Sequence, residues 1–232
     1  MSQLQLCLHH EQILLVLDDA KGSFAGCMYQ YGLAGALLSE LLLQGLIKVS
    51  ADDKQIVAVA IAKPTGDSLL DEVVKMISES KKPQDLKHWV YTVANIPRLC
   101  EQVADQLCQL GILSFEESKV LWLFTKKRYP ELDSSFEEAI RRRMAEVMFT
   151  SELKVDERTA VLIALAKSSG ALTANFAPVE LSKHDARISE ICDGKQLAIE
   201  ATAEAIAAVH ASMAAVTAAT TAATAAAISA AN

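Results

Sequence analysis

The run from Leu33 to Ile47, "LAGALLSELLLQGLI", limits the fold more than any other part of the chain. Apolar positions recur in it at three- and four-residue spacing, as they do in "EQILLVLDD" at residues 11–19. Such spacing is the signature of amphipathic or buried helices. Neither run is a membrane span. A span needs about 20 consecutive apolar residues, and the longer run falls short of that and carries Glu40 and Gln44. No helix is therefore expected to cross a bilayer. With 232 residues, 51% of them apolar and 22% charged, the chain has the composition of a soluble globular protein, able to bury one large core or two small ones.

The same spacing predicts further helices over residues 68–80, 88–93, 97–110, 135–149 and 156–168, and another from Ser182. "DDAKGSFAG", residues 18–26, reads as a turn, and "SGALTANFAP" as a break before the last of these helices. Gly111 is placed to end its helix as a positive-φ cap. Residues 48–61 alternate around an Ala-Asp-Asp-Lys turn and suggest a short hairpin. A second hairpin is expected where the strand-like run Val120–Phe124 meets a basic turn and Pro130. The fold class is mainly α, with one or two short β-hairpins. From Ala201 onward Ala fills more than half of the positions. A helix docked on the core is expected to about Met213, which divides the chain into a domain at 1–213 and an Ala/Thr-rich helical extension at 214–232.

"AKPTGDSLLDE", residues 62–72, has the look of a phosphate-binding turn. It has one glycine and lacks a lysine at the required spacing, so backbone N–H groups cannot converge on an anion in the manner of a nucleotide loop. Pro64-Thr65-Gly66 makes a turn, and Asp67 or Ser68 is placed to cap the helix that follows. Ser68 with Asp71 reads as a capping box, and Asp71 and Glu72 favour the positive end of the helix while repelling an anion.

The net charge of −7 argues against a duplex nucleic-acid partner. Five scattered cysteines without a CxxC pair indicate reduced thiols, with Cys100 and Cys108 expected to face the core. The N-terminus lacks the basic start and apolar run of a secretory signal, so the expected location is cytoplasmic. "CLHHE", Cys7 to Glu11, concentrates metal-capable side chains. Adjacent histidines point in different directions on a helix or strand, and no partner cluster stands out elsewhere, so no metal site is expected. His88, His184 and His210 are isolated, and the GxSxG, HExxH, GxGxxG and Walker patterns are missing. Neither a catalytic set nor a cofactor is expected.

One surface feature stands out. Trp122, Leu123 and Phe124 run directly into Lys126, Lys127 and Arg128. Apolar groups beside a basic turn suit an anionic lipid surface, where each cation contributes about 1 kcal/mol. The same hairpin could instead be buried against another subunit. Arg141, Arg142 and Arg143 read as a solvated helix face.

The order of these segments resembles the Golgi phosphoprotein 3 family from about Glu11 to about Ala208. The resemblance rests on "EQILLVLDDAKGSF", "GLAGALLSELLLQGLI", "PTGDSLLDE", "QLGIL", "LFTKKRYP" and "NFAP". It implies a helical bundle ringed by amphipathic helices, with a projecting β-hairpin, here Val120–Pro130, used in oligomerisation and membrane contact. The family's eukaryotic members are non-enzymatic peripheral membrane proteins that bind phosphatidylinositol 4-phosphate and act as adaptors retaining glycosyltransferases, and the resemblance implies a role of that kind.

The family's headgroup residues do not carry over. Its tryptophan corresponds to Ala25, the basic residue of its "Gly-Leu-Arg-Gly" segment to Ala34, and two basic residues three apart to Pro97 and Cys100. Arg98 substitutes only if the helix start shifts by one residue. Charge-assisted contacts supply most of the affinity for a phosphomonoester, so specific headgroup recognition is expected to be lost. The short N-terminus and Ala-rich C-terminus resemble the compact prokaryotic branch of the family. The expected partners are an anionic phospholipid surface, an unidentified protein client and further copies of the chain. The alternative is a soluble homo-oligomeric scaffold that binds no lipid.

Overall fold

The computed structural model describes residues 5–18, 23–24, 29–50, 55–59, 64–120, 124–150 and 155–195. Three helices form the centre. Helix α1 (Leu8–Val16) is buried at every position, α2 (Tyr29–Leu43) from Tyr31 to Leu42, and α7 (Glu157–Ser169) from Thr159 to Ala166. All three are enclosed although they carry polar residues, His9 to Gln12 on α1 and Glu40 on α2 among them, and they pack against one another.

Around them stand helices that bury a single stripe. Helix α3 (Ser68–Ser78) turns Leu69, Leu70, Val73, Val74 and Ile77 inward, and α4 (Leu86–Ala94) turns Trp89, Val90 and Val93. Helix α5 (Leu99–Gln109) does so with Leu99, Val103 and Leu107, and α6 (Ser135–Met148) with Ile140, Met144 and Met148. The short helices α8 (Ala171–Asn175), α9 (Pro178–Lys183) and α10 (Asp185–Cys192) close one end over α7. The fold is mainly α, a bundle ringed by amphipathic helices.

Strands occupy the connections. β1 (Leu17–Asp18) pairs antiparallel with β2 (Ser23–Phe24), where the sequence read only as a turn. β3 (Ile47–Val49) and β4 (Gln55–Ala58) form the expected first hairpin. β5 (Gln84–Asp85) adds a third strand that a two-residue segment could not announce. The second hairpin pairs β6 (Glu116–Val120) with β7 (Phe124–Arg128).

Several expected boundaries move, among them the helical run at 11–19, which begins at Leu8 and gives way to a strand after Val16. "SGALTANFAP" contains α8 and leads into α9 four residues before Ser182, because Pro178 suits the first turn of a helix. The helix expected from Pro97 begins at Leu99 instead. The helix expected to Met213, and with it the 213/214 boundary, lies outside the described residues. Gly111, with φ of 74°, ends α5 as expected.

A buried ion pair joins the three central helices. Glu40 of α2, 3% exposed, takes Arg158 of α7 in a two-pronged contact at 3.1 and 2.7 Å. The same carboxylate accepts the backbone N–H of Leu8 at 2.7 Å, which caps the start of α1, and the Gln44 amide at 2.8 Å. Burial pushes the Glu40 carboxyl up, but the hydrogen bonds and charge of Arg158 outweigh it and hold the group below its ordinary 4.5. A second pair ties the ring inward: Arg143 of α6 donates to Glu11 of α1 at 2.9 Å, while Arg141 meets Glu137 at 3.2 Å. The arginine triplet is therefore not simply a solvated face. Alpha-helical rotation sends two of its three members to buried carboxylates.

Removing one partner from a buried pair strands the other charge at a cost of about 3–5 kcal/mol. Arg158→Met should destabilise the fold by about that amount in urea unfolding, and the double variant with Glu40→Met by much less. Because the folded Glu40 carboxyl titrates below 4.5, its contribution is present above that pH and is lost as the pH falls through the folded value. The stability gap between wild type and Glu40→Gln should therefore narrow below pH 4.5 in thermal scans.

Candidate functional site

The "PTGD" turn is built around Asp67. Gly66 sits at φ 91°, a conformation that favours glycine, and lets the chain reverse into α3. Asp67 is the N-cap: its Oδ1 accepts the N–H groups of Leu69 and Leu70 at 2.9 and 3.1 Å. Thr65 Oγ1 accepts the Asp67 N–H at 3.1 Å. Asp71 reaches back past Ser68 to the Thr65 N–H at 2.8 Å. Of the two expected cap residues the structure uses Asp67, and the expected Ser68–Asp71 capping box does not form, because Asp71 accepts from Thr65 instead.

Asp67 also gathers residues distant in sequence. His9 Nε2 on α1 lies 2.9 Å from Asp67 Oδ2, and His10 Nε2 lies 3.9 Å from the same oxygen. Gln106 of α5 donates to Asp67 Oδ1 at 3.1 Å, and its Oε1 lies 3.0 Å from His10 Nε2. The two imidazoles touch, with ring centroids 4.2 Å apart. Cys7, the N-cap residue of α1, completes the group. The expectation that "CLHHE" has no partners is overturned. Successive helix residues do diverge by about 100°, but both rings sit in the first turn of α1, and Asp67 comes to meet them across 58 residues of chain.

These groups perturb one another. Burial raises the Asp67 carboxyl, but the His9 hydrogen bond and the cap N–H of Leu70 hold it well below the usual carboxylate range. Burial, then the neighbouring His9, pulls His10 down to about 4. Burial and the charges of Glu40 and Asp67 push the Cys7 thiol up to about 12.

The family's headgroup positions fall elsewhere. Ala34 is fully enclosed in α2, Cys100 is half-buried in the first turn of α5, and Pro97 is exposed in the turn before it. Ala25 lies outside the described residues. Arg98 is the N-cap residue of α5, at a positive φ of 58° that costs a non-glycine residue about 1 kcal/mol. Its guanidinium donates through Nε to Glu101 at 2.6 Å, and Lys127 reaches the same carboxylate at 2.6 Å. Arg98 is thus already paired.

The β6–β7 register corrects the reading of the second hairpin. Val120 pairs with Phe124, so the connection is residues 121–123 and the basic residues lie on β7 rather than in a turn. Charge explains the register: Glu116 faces Arg128 and Glu117 faces Lys127 across the ladder, and opposite charges on facing residues stabilise a pair. The hairpin stands against α5, since Lys127 meets Glu101 and the Tyr129 hydroxyl, just beyond β7, donates to Asp105 at 3.2 Å. Trp122 and Leu123 lie outside the described residues, and of Phe124 and Lys126 only the strand backbone is described. Arg128 is exposed.

Among the other histidines, His184 packs on the Phe149 ring at 5.2 Å and His88 stands edge-on to Trp89. His210 lies outside the described residues. Cys100 and Cys108 are half-buried against the core, and Cys7, Cys100, Cys108 and Cys192 carry free thiols. No described helix is long and apolar enough to cross a membrane.

Fold and surface together define a helical-bundle protein with a charged hairpin braced on one ring helix. The chain belongs to the Golgi phosphoprotein 3 family, whose sequence model matches residues 8–209. It is also 28% identical over 175 residues to the vacuolar protein sorting-associated protein 74 of Schizosaccharomyces pombe, a match covering 66% of this chain and 51% of that protein. The chain thus spans about half the length of that relative.

The double duty of Asp67 is separable. Asp67→Ala removes a cap and strands His9 and Gln106, and should cost about 2–4 kcal/mol in urea unfolding. Asp67→Asn retains an N-cap oxygen and should cost less than half as much.

Proposed function

We propose that the protein is a non-enzymatic peripheral membrane adaptor that meets anionic lipid through the β6–β7 hairpin and does not select phosphatidylinositol 4-phosphate. The observation that carries this reading is the contrast between the two basic sets. Among the family's headgroup positions, basic character survives only beside them, at Arg98, and that side chain is already engaged by Glu101. The hairpin keeps four basic residues, Lys119, Lys126, Lys127 and Arg128, against Glu116 and Glu117.

Within that set the contributions differ. Successive strand residues alternate faces, so positions 126 and 128 share one face, and Lys127 is held by Glu101. Lipid contact is assigned to the basic residues of β7 that α5 does not hold. Each free cation near an anionic leaflet contributes about 1 kcal/mol, screened by salt. The name of the fission-yeast relative, a protein of vacuolar sorting, supports a role in positioning other proteins. The protein client would be held at the cytoplasmic face of the membrane.

Co-sedimentation with vesicles over a salt series tests this. Vesicles of phosphatidylcholine alone should not bind the chain. Vesicles carrying phosphatidylserine and vesicles carrying phosphatidylinositol 4-phosphate at matched surface charge should bind it alike, with affinity falling as salt rises. Lys126→Ala with Arg128→Ala should weaken binding by about tenfold or more, and Lys127→Ala by less. Preference for the phosphoinositide would refute the loss of specificity. If no vesicle binds and the chain forms an assembly that survives high salt but not deletion of residues 116–128, the protein is a soluble scaffold.

A further inference from the structure

The Cys7, His9, His10 and Asp67 group is not used by the lipid or adaptor reading. Its four potential ligand atoms, the thiol sulfur, one ring nitrogen of each histidine and one carboxylate oxygen, all lie within 4.8 Å of one another. His9 is fully buried, and His10 is 6% exposed. Hydrogen bonds account for His9 Nε2 with Asp67 and for His10 Nε2 with Gln106, but not for the convergence of the thiol on the same point. The Nδ1 atoms of both histidines are buried and have no hydrogen-bond partner among the described residues.

We propose that this group is a binding site for one zinc-class transition-metal ion. The donor set decides the class. One sulfur, two imidazole nitrogens and one carboxylate oxygen are ligands of borderline softness in the number that Zn²⁺ takes tetrahedrally, whereas Mg²⁺ and Ca²⁺ require oxygen shells. Charge agrees: a thiolate and a carboxylate neutralise a divalent cation, which suits a site enclosed by helices. The surroundings already orient one ligand. Asp67 Oδ1 is occupied by Gln106 and by the Leu69 and Leu70 N–H groups, which leaves Oδ2 directed at the histidines. Outer contacts of this kind fix ligand geometry in metal sites.

Coordination through the Nε2 atoms draws the four donors inward from their present spacing, and the His9–Asp67 and His10–Gln106 hydrogen bonds give way to bonds to the metal. The Cys7 S–H proton is released to solvent as the thiolate binds. Cys7 is only partly buried, which provides the route of entry. With four protein ligands the site is closed, so its role is structural. It clamps the N-terminus of α1 to the N-terminus of α3 and makes the "PTGD" turn a point where metal supply reaches the fold.

Cobalt(II) is the probe, because its spectrum reports ligand type and geometry. The full chain, without an affinity tag and stripped with chelator, should bind one equivalent of Co²⁺. It should show thiolate-to-cobalt charge transfer in the near ultraviolet and the intense visible bands of four-coordinate cobalt, both abolished by added Zn²⁺. Zn²⁺ at a hundredfold excess over its Kd should raise the Tm by about 5–10 °C. Cys7→Ser should remove the charge-transfer band, Asp67→Asn should weaken binding at least about tenfold, and Cys192→Ser should change neither. Absence of stoichiometric cobalt binding overturns the proposal. So does cobalt bound without the thiolate band in the wild-type chain, a result that needs no variant to fold. An unchanged spectrum and affinity in Cys7→Ser overturns it equally.

Discussion

The arrangement of the molecule depends on the Glu40–Arg158 pair. A carboxylate on a helix enclosed on every side has no access to water, so to stay charged it must find a cation. Arg158 supplies that cation from α7, and the free N–H of Leu8 at the start of α1 supplies a third contact. Sliding either helix by one turn, about 5.4 Å, would break all of these together. A pair of this kind adds little net stability over an apolar replacement but penalises every alternative register. We regard it as the device that fixes how α1, α2 and α7 meet.

The peripheral features hang from that frame through polar contacts of their own. Asp67 caps α3 and at the same time holds α1 through His9 and α5 through Gln106. Helix α5 then braces the hairpin through Glu101 and Asp105. The hairpin is therefore positioned by a chain of contacts running from the buried core to the surface. Its brace consumes one of its own lysines, which is why its basic residues are not equivalent.

The helices and their inward faces were legible in the sequence, because burial is periodic and the three- and four-residue spacing of Leu69, Val73 and Ile77 or of Val103 and Leu107 records it directly. The capping role of Asp67 was legible for the same reason: caps are local. What could not be read was long-range. Nothing near Glu40 announces Arg158, 118 residues later, and nothing near His9 announces Asp67. A possible signal did exist: a conspicuous Asp with several local duties and a buried-looking His pair are both short of partners. The hairpin failed differently. The aromatic residues suggested a strand and the lysines a turn, but the cross-strand match of Glu116 and Glu117 with Arg128 and Lys127 decided the register. The two-residue strands carry too few side chains to leave a pattern.

The central claim is that the hairpin, and not the inherited headgroup positions, faces the membrane. Hydrogen exchange of the full chain, compared free and bound to phosphatidylserine-containing vesicles, tests it most directly. The account predicts slowed exchange confined to residues 116–128, with the backbone around Ala34 and from Pro97 to Cys100 unchanged. Protection that centres on those positions while the hairpin exchanges as in the free protein would contradict it.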